Sequence, residues 1–181
     1  MTIATPAHAF GLEQQGDILV LGTIWRGAMI GMYSSTDAAI IQCLEQASDA
    51  GLALPQGAFD DCPQKRLLAL EGLVSDRTGW HTDGGENDAQ ANNAATIKAL
   101  SIWRQMSAMR GPVMNGRFSA KGRRLKMEWS QFRNGVREHC GPLTCSPLDL
   151  FEQLVSLKRA SEGLETELVK IRRDMARGEP A

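Results

Sequence analysis

Histidine and cysteine, which supply most metal ligands and many catalytic groups, are scarce in this sequence. Its 181 residues include three histidines and four cysteines, Cys43, Cys62, Cys140 and Cys145. Their number and spacing do not resemble a disulfide framework, so reduced thiols in a cytoplasmic protein are expected. The best metal candidate is His139 with Cys140 and Cys145, but one C-x4-C pair does not match the spacing of zinc sites. The sequence therefore predicts no metal ion and no cofactor.

Sequence signatures of several enzyme families are also absent. The chain contains no G-x-S-x-G, G-x-x-x-x-G-K-[ST], G-x-G-x-x-G or H-E-x-x-H motif. One polar segment carries His81, Asp83, Glu86 and Asp88, which could bind a hard cation or perform acid–base chemistry. Surface loops often carry such residues without a function. We therefore predict no catalytic residues, and an enzyme using this segment is only the third hypothesis.

Long hydrophobic runs are missing as well. The most apolar segment, residues 18–32, is too short to cross a bilayer and contains Arg26 at its centre. The first charged residue is Glu13, so the basic region of a secretory signal is not found. The sequence thus predicts no membrane partner, no export and a cytoplasmic location. Its 43 % hydrophobic and 23 % charged residues are typical of folded globular proteins.

Helical periodicity is the clearest pattern that is present, and it predicts a mainly α globule of about five helices. Two short helices are expected at residues 37–50 and 63–75, and residues 82–93 are expected to form a loop. A third helix is expected at 92–110, with a buried face made by Ala95, Ala99, Ile102, Met106 and Met109. A fourth is expected from Ser119, with a narrow apolar stripe of Leu125, Trp129, Phe132 and Val136.

Residues 17–33 are compatible with two structures. Ile18, Trp25 and Met29 would lie on one face of a helix. However, the segment from Gly16 to Gly31 contains four glycines, which weaken a helix. A small β-hairpin near residues 17–33 therefore remains an alternative to a helix.

The C-terminal segment has the spacing of a coiled coil. Ser146 and Pro147 begin it, and Asp149 completes a pattern close to a capping box. Leucine or another apolar residue then recurs at alternating intervals of four and three, interrupted once by Ser161. A long helix over 146–177 is predicted, and a helix with such a seam favours association with another helix. The alternative is that this helix packs back on the globule of its own chain. The predicted oligomer interface consists of Leu150, Leu154, Leu157, Leu164, Leu168 and Ile171.

Charge is strongly segregated along the chain, although its formal net value is only −1. Residues 1–97 have a net charge of −8, whereas residues 98–137 contain ten basic side chains and the single acid Glu128. A helix over 119–137 that buried its apolar stripe would leave a basic ridge in solvent, and basic ridges attract phosphates or acidic proteins. The predicted nucleic-acid-binding residues are Arg117, Lys121, Arg123, Arg124, Lys126, Arg133 and Arg137.

These patterns lead to one organisation and two main hypotheses. We expect a globular domain over 1–145, acidic over 1–97 and basic over 98–137, followed by an oligomerisation helix at 146–177 and a tail at 178–181. The first hypothesis is a non-enzymatic nucleic-acid-binding regulator or DNA-handling accessory protein that forms a homo-oligomer, with DNA favoured over RNA. The alternative is a protein–protein adaptor or inhibitor that uses its charged surfaces, with an acidic protein surface as its partner.

Overall fold

The protein is mainly helical and contains one small antiparallel sheet. A computed structural model describes residues 15–60, 62–75, 85–133 and 136–177. The helices are α1 (Gln15–Asp49), α2 (Pro63–Ser75), α3 (Gly85–Ser107), α4 (Arg110–Asn115) and α5 (Pro147–Arg177). The strands are β1 (Arg117–Lys121), β2 (Arg124–Arg133) and β3 (Val136–Cys145), arranged in the order β1-β2-β3. These elements confirm a mainly α fold with a long C-terminal helix and a small β element.

The chain divides into two compact units. The unit that we call the sheet unit contains the part of α1 up to Tyr33 and the segment Met106–Lys158, which includes the whole sheet. The helical unit contains Ser34–Gln105 and the part of α5 that follows Lys158. Helices α1 and α5 therefore contribute residues to both units.

Helix α1 is continuous through residues 17–33, where a hairpin was the alternative, and past residue 37, where a new helix was predicted to begin. The hairpin alternative for residues 17–33 is wrong, and the sheet lies instead at residues 117–145. Gly22 has a packing role in this helix, because a Cβ there would lie 2.7 Å from Leu125 Cδ1. The predicted helix start near residue 37 is also wrong. The hydroxyl of Thr36 does not cap a helix but lies 2.6 Å from Ser161 Oγ.

The predicted helix from Ser119 is wrong, because residues 117–145 form strands. Leu125, Met127 and Trp129 instead follow a period of two, which is the period of a strand. Leu125 and Met127 are fully buried, whereas Arg124 between the turn and Leu125 is exposed. Gly122, with a φ of +60°, forms the turn that joins β1 to β2. The turn at Gly122 and the alternation of apolar and polar residues thus favour two strands over the helix that the apolar stripe predicted.

The predictions for the middle helices are partly confirmed. Helix α2 has the predicted bounds and buries Leu67, Leu70, Leu73 and Val74. Helix α3 begins at Gly85, inside the segment predicted to be a loop, where alanines and early acidic residues favour a helix. Its buried face was also predicted wrongly, since Ala95 and Ile102 are exposed. The buried residues are Asn93, Thr96, Leu100 and Trp103.

Helix α5 confirms the C-terminal helix that the sequence predicted, and the residues of its apolar seam lie inside the chain. The backbone N–H of Ser146 donates to Asp149 Oδ2 at 2.7 Å, and the N–H of Asp149 donates to Ser146 Oγ at 3.2 Å, so the capping box is formed. The proposed oligomer interface, however, is covered within the single chain. Leu154 is half-buried, and the other seam residues Leu150, Leu157, Leu164, Leu168 and Ile171 are at most 1 % exposed. The residues of this seam are thus packed inside their own chain, while Leu148, Phe151 and Val169 of the same helix are exposed.

Candidate nucleic-acid interface

The sheet has one apolar face and one polar face, set by its strand register. β1 pairs with β2 so that Phe118 lies opposite Met127 and Ala120 lies opposite Leu125. β3 adds Leu143 opposite Met127 and Cys145 opposite Leu125. Because paired residues share a face, these side chains form one apolar face, which we call the inner face. The residues between them form the outer face.

The inner face is anchored on α1 within the sheet unit. Gly22 allows the helix backbone to approach Leu125 closely, and the Trp25 ring lies 6.1 Å from the Phe118 ring. The Arg26 guanidinium lies 5.1 Å from the centroid of the same Phe118 ring and donates to the Gly116 carbonyl at 3.2 Å. These contacts hold the inner side of the sheet, so the outer face is the side available to a partner.

The outer face brings together most of the basic residues that the sequence singled out. Arg117 and Lys121 on β1 and Arg124 on β2 are exposed, and Lys126 between them is half-exposed. Arg137 on β3 is exposed two residues from His139, which lies opposite Ser130. Arg123 is exposed in the turn, and Arg133 belongs to β2, although its side chain lies outside the described part. The predicted set is thus gathered on a sheet rather than on a helix.

Two of these cations face each other directly next to the turn. Lys121 pairs with Arg124 across β1 and β2, and Arg123 follows Gly122 at the tip. Like charges directly opposite on neighbouring strands are destabilising. Within the described ranges, Lys121, Arg123 and Arg124 have no carboxylate at ion-pair distance. The Ser146 backbone N–H and hydroxyl lower the pKa of the Asp149 carboxyl, and the charge of Arg124 lowers it further, so Asp149 partly offsets the charge of Arg124. The turn therefore concentrates positive charge that no ion pair within the described ranges neutralises.

Glu128 is the one acidic side chain placed among these cations on the outer face of β1 and β2. Its Oε1 lies 2.6 Å from Lys126 Nζ, and Arg117 lies opposite it across the strands. The bond from Lys126 holds the pKa of the Glu128 carboxyl below its usual value, and the charges of His139 and Arg117 lower that pKa further. Glu128 is therefore ionised at neutral pH and reduces the positive potential of this face.

Sequence reasoning missed other members of the outer face because it counted only lysine, arginine, aspartate and glutamate side chains. Ser119 pairs with Lys126 from one side, and Thr144 pairs with it from the other. His139 was considered only as a metal ligand. Alternation of apolar and polar residues over 117–128 was the signal that could have found this face.

The metal candidate of the sequence is not assembled in the described residues. His139 lies opposite Ser130 and Cys140 lies opposite Trp129, so these two neighbouring side chains point to opposite faces of the sheet. Among the residues that the structure describes, no group of three potential ligands could hold a metal ion. His81 and Asp83 lie outside the described residues, and Glu86 and Asp88 are in α3 without a description of their side chains.

A cleft of about 410 Å³ also opens in the sheet unit, lined by Met29, Met106 and Met109. Cys145 and Gln153 belong to its lining, and the Gln153 amide lies 3.7 Å from Cys145 Sγ. Burial raises the pKa of the Cys145 thiol, which makes it a poor nucleophile at neutral pH. The Gln153 carbonyl oxygen has no hydrogen-bond partner, but it is shielded from solvent and hence from a molecule in the cleft. The cleft therefore contains no activated thiol, and the other ionisable residues of its lining are Asp149 and Glu152.

Comparisons with known proteins do not extend this description. No protein-family model, no curated protein and no solved structure matches the chain. No helix in the described residues is long and apolar enough to cross a membrane. The outer face of the sheet is therefore the candidate functional surface.

Proposed function

We propose that this protein binds DNA through the outer face of its sheet and acts as a non-enzymatic regulator or DNA-handling accessory protein. The observation that carries the proposal is the directly opposed pair of Lys121 and Arg124 beside Arg123. A phosphate between such cations would relieve their repulsion and satisfy their N–H donors. Antiparallel strands are an established means of contacting DNA.

The number of available cations sets a quantitative expectation. Six described cations lie at the turn and on the outer face, listed as Arg117, Lys121, Arg123, Arg124, Lys126 and Arg137. Lys126 is paired with Glu128, which leaves five for phosphates. Five phosphate contacts would give a slope of about −4.5 for the logarithm of the binding constant against the logarithm of the salt concentration.

The test measures the binding of a fluorescent duplex of about 24 base pairs by anisotropy between about 50 and 200 mM salt. The double variant K121E/R124E removes two phosphate contacts and keeps a like-charged pair beside the turn, so its hairpin stability should be little changed. We expect its affinity at about 0.1 M salt to fall at least 50-fold, and the slope to become less steep by about two.

A matched control separates this face from the net charge of the protein. The variant K98E/R173E reverses two exposed cations in the helical unit and changes the net charge by the same amount. We expect it to keep at least half of the wild-type affinity. Equal losses in the two double variants, or no binding by the wild type, would refute the proposal.

The alternative function is an adaptor that presents the same face to an acidic protein. An absence of DNA binding together with capture of an acidic protein that K121E/R124E abolishes would support that alternative. All four cysteines are free, which agrees with a reducing compartment, and we place the protein in the cytoplasm on that basis.

A further inference from the structure

We infer that the cleft of the sheet unit binds a small organic ammonium ion with an apolar body. The cleft has a volume of about 410 Å³, which lies within the range of small-molecule sites. All of its lining residues belong to the sheet unit. None of the basic residues assigned to DNA lines it, so this inference does not depend on the proposed function.

The buried part of the lining is apolar and rich in sulfur. Met29 of α1, Cys145 of β3 and Leu157 of α5 are at most 2 % exposed, and Met106 and Met109 are half-buried. Methionine side chains are unbranched and polarizable, so they adapt to the shape of an apolar ligand and make favourable contacts with aromatic rings. This part of the cleft therefore fits the apolar body of a ligand.

Helix α5 supplies a polar side to the same cleft. Its lining residues Asp149, Glu152 and Ser156 are separated by three and four positions, so they lie on one face of the helix. All three are exposed, in contrast to Leu157 beside them. An exposed polar row next to a buried apolar lining fits an amphiphilic ligand, whose apolar body is covered while its polar end stays in contact with water.

The charge of the lining determines the sign of that polar end. Among the described residues that line the cleft there are two carboxyl groups and no lysine, arginine or histidine. Asp149 already accepts a bond from the Ser146 backbone N–H, and the charge of Arg124 acts on it. Glu152 lies beyond the first turn of α5, where the positive end of the helix has little effect. Glu152 is therefore the carboxylate best placed to attract an ammonium group, and the lining repels an anion.

The experiment compares three molecules that share a phenyl ring and differ in charge, namely 2-phenylethylamine, 2-phenylethanol and phenylacetate. The full-length protein is labelled with carbon-13 in its methionine methyl groups, and its spectrum is followed during each titration. We expect the amine to shift the signals of Met29, Met106 and Met109 with a roughly millimolar dissociation constant, as its size allows. Met175, which is buried in the helical unit, should not shift.

The two matched molecules test the charge of the ligand. The alcohol should bind about fivefold more weakly than the amine, because it lacks the ion pair, and phenylacetate should bind more weakly still. Equal binding of the amine and the alcohol would overturn the inference, and so would preferential binding of phenylacetate or binding of none of the three. Shifts of Met175 equal to those of the cleft methionines would also overturn it. DNA binding is measured separately, so these outcomes leave the proposed function unaffected.

A substitution at Glu152 provides a second, independent measurement. E152Q removes the charge at an exposed position and keeps the shape of the side chain, so the fold should not change. We expect its affinity for 2-phenylethylamine to fall about fivefold, with no change for 2-phenylethanol. E162Q is the matched control, since it removes an exposed carboxylate of the same helix outside the cleft and should change neither affinity. An unchanged affinity of E152Q for the amine, or equal losses in both variants, would contradict the placement of the ammonium group at Glu152.

Discussion

The two units of this protein treat their polar and basic side chains differently. In the helical unit, five basic residues have acceptors within the chain, listed as Lys65, Arg66, Arg104, Lys170 and Arg172. On the outer face of the sheet unit, only Lys126 among the six described cations has a carboxylate at ion-pair distance. Exposed ion pairs contribute little to stability. The two units therefore differ in the number of cations left without a carboxylate, and this difference has little effect on the free energy of unfolding.

The helical unit also pairs its buried hydroxyl groups with one another or with a carboxylate. The helical unit satisfies Thr36 with Ser161, and Thr96 donates to Glu167 Oε2 at 3.2 Å. Glu167 in turn accepts a bond from Lys170 at 2.6 Å. Such a network specifies how its helices pack, because each member depends on the others. These polar groups of the helical unit therefore bond to one another, whereas the outer face of the sheet has hydrogen-bond donors available for a partner.

The largest effect that we expect concerns the core of the sheet unit at alkaline pH. Burial raises the pKa of Tyr33 to about 12, and its hydroxyl donates to the Met106 carbonyl at 2.9 Å. The folded state therefore holds this proton more tightly than the unfolded state, so stability should fall as the pH rises from about 10 towards 12. Urea unfolding across this range should show the loss, and Y33F should lack the part due to this group.

Tyr33 is the only tyrosine in the chain, which makes the titration directly observable. The ultraviolet absorbance of tyrosinate should report a midpoint near 12 in the folded protein and near 10 after unfolding in urea. A folded-state midpoint near 10 would contradict the burial of this hydroxyl.

The next effect tests the internal network of the helical unit. S161A removes the nearest partner of Thr36 and leaves it only Glu165 Oε1 at 3.5 Å, so it should lower the free energy of unfolding by about 1 kcal/mol. The double variant T36V/S161A should lose less than the sum of its single variants, because both partners are then removed together. DNA binding should not change. A weaker affinity of folded S161A for DNA would mean that the two units are not independent in this respect.

Removal of the acid on the outer face should act on binding alone. E128Q keeps the shape of the side chain, releases Lys126 and removes a negative charge near the phosphates. One additional contact corresponds to about an eightfold gain in DNA affinity at about 0.1 M salt. E71Q is the matched control in the helical unit, since it removes the carboxylate that pairs with Arg104. Equal gains in both variants would indicate an effect of net charge and not of this face.

The smallest effect should have opposite signs for stability and binding. K121E places unlike charges opposite each other next to the turn, and it should raise the free energy of unfolding by about 0.2–1 kcal/mol. The same change should weaken DNA binding, because one phosphate contact is lost. Urea unfolding and anisotropy on one preparation would test both. A variant that is less stable than the wild type would mean that the opposed cations do not repel each other measurably.

The sequence predicted the fold class and the two helices with strong local signals. Residues 63–75 and 147–177 combine regular apolar spacing with recognisable ends, so α2 and α5 were predicted with the right bounds. The segment from Ser119 to residue 137 was predicted as a helix because Leu125, Trp129 and Val136 also satisfy a helical period. Its true alternation is interrupted between Met127 and Trp129, where the register with β3 shifts.

The remaining errors have a common physical origin in tertiary contacts. Nothing near Gly22 in the sequence indicates that Leu125 will fill the space beside it. Likewise, Thr36 and Thr96 resemble surface or capping residues until Ser161 and Glu167 are brought to them. The basic residues of the candidate site were found from charge alone, but their common face required the strand register. Counting charges identifies the basic residues, and the pairing of the strands determines which face of the sheet their side chains occupy.

The turn at Gly122 also provides a natural reporter of occupancy. Lys121, Arg123 and Arg124 place three trypsin cleavage residues within four exposed positions, at the kind of loop tip where proteases cut first. A ligand on this tip would shield the peptide bonds next to it. Limited digestion with trypsin should therefore cut the free protein between β1 and β2. With a ligand bound at the turn, the full-length chain should persist, and this can be followed without labelling the protein.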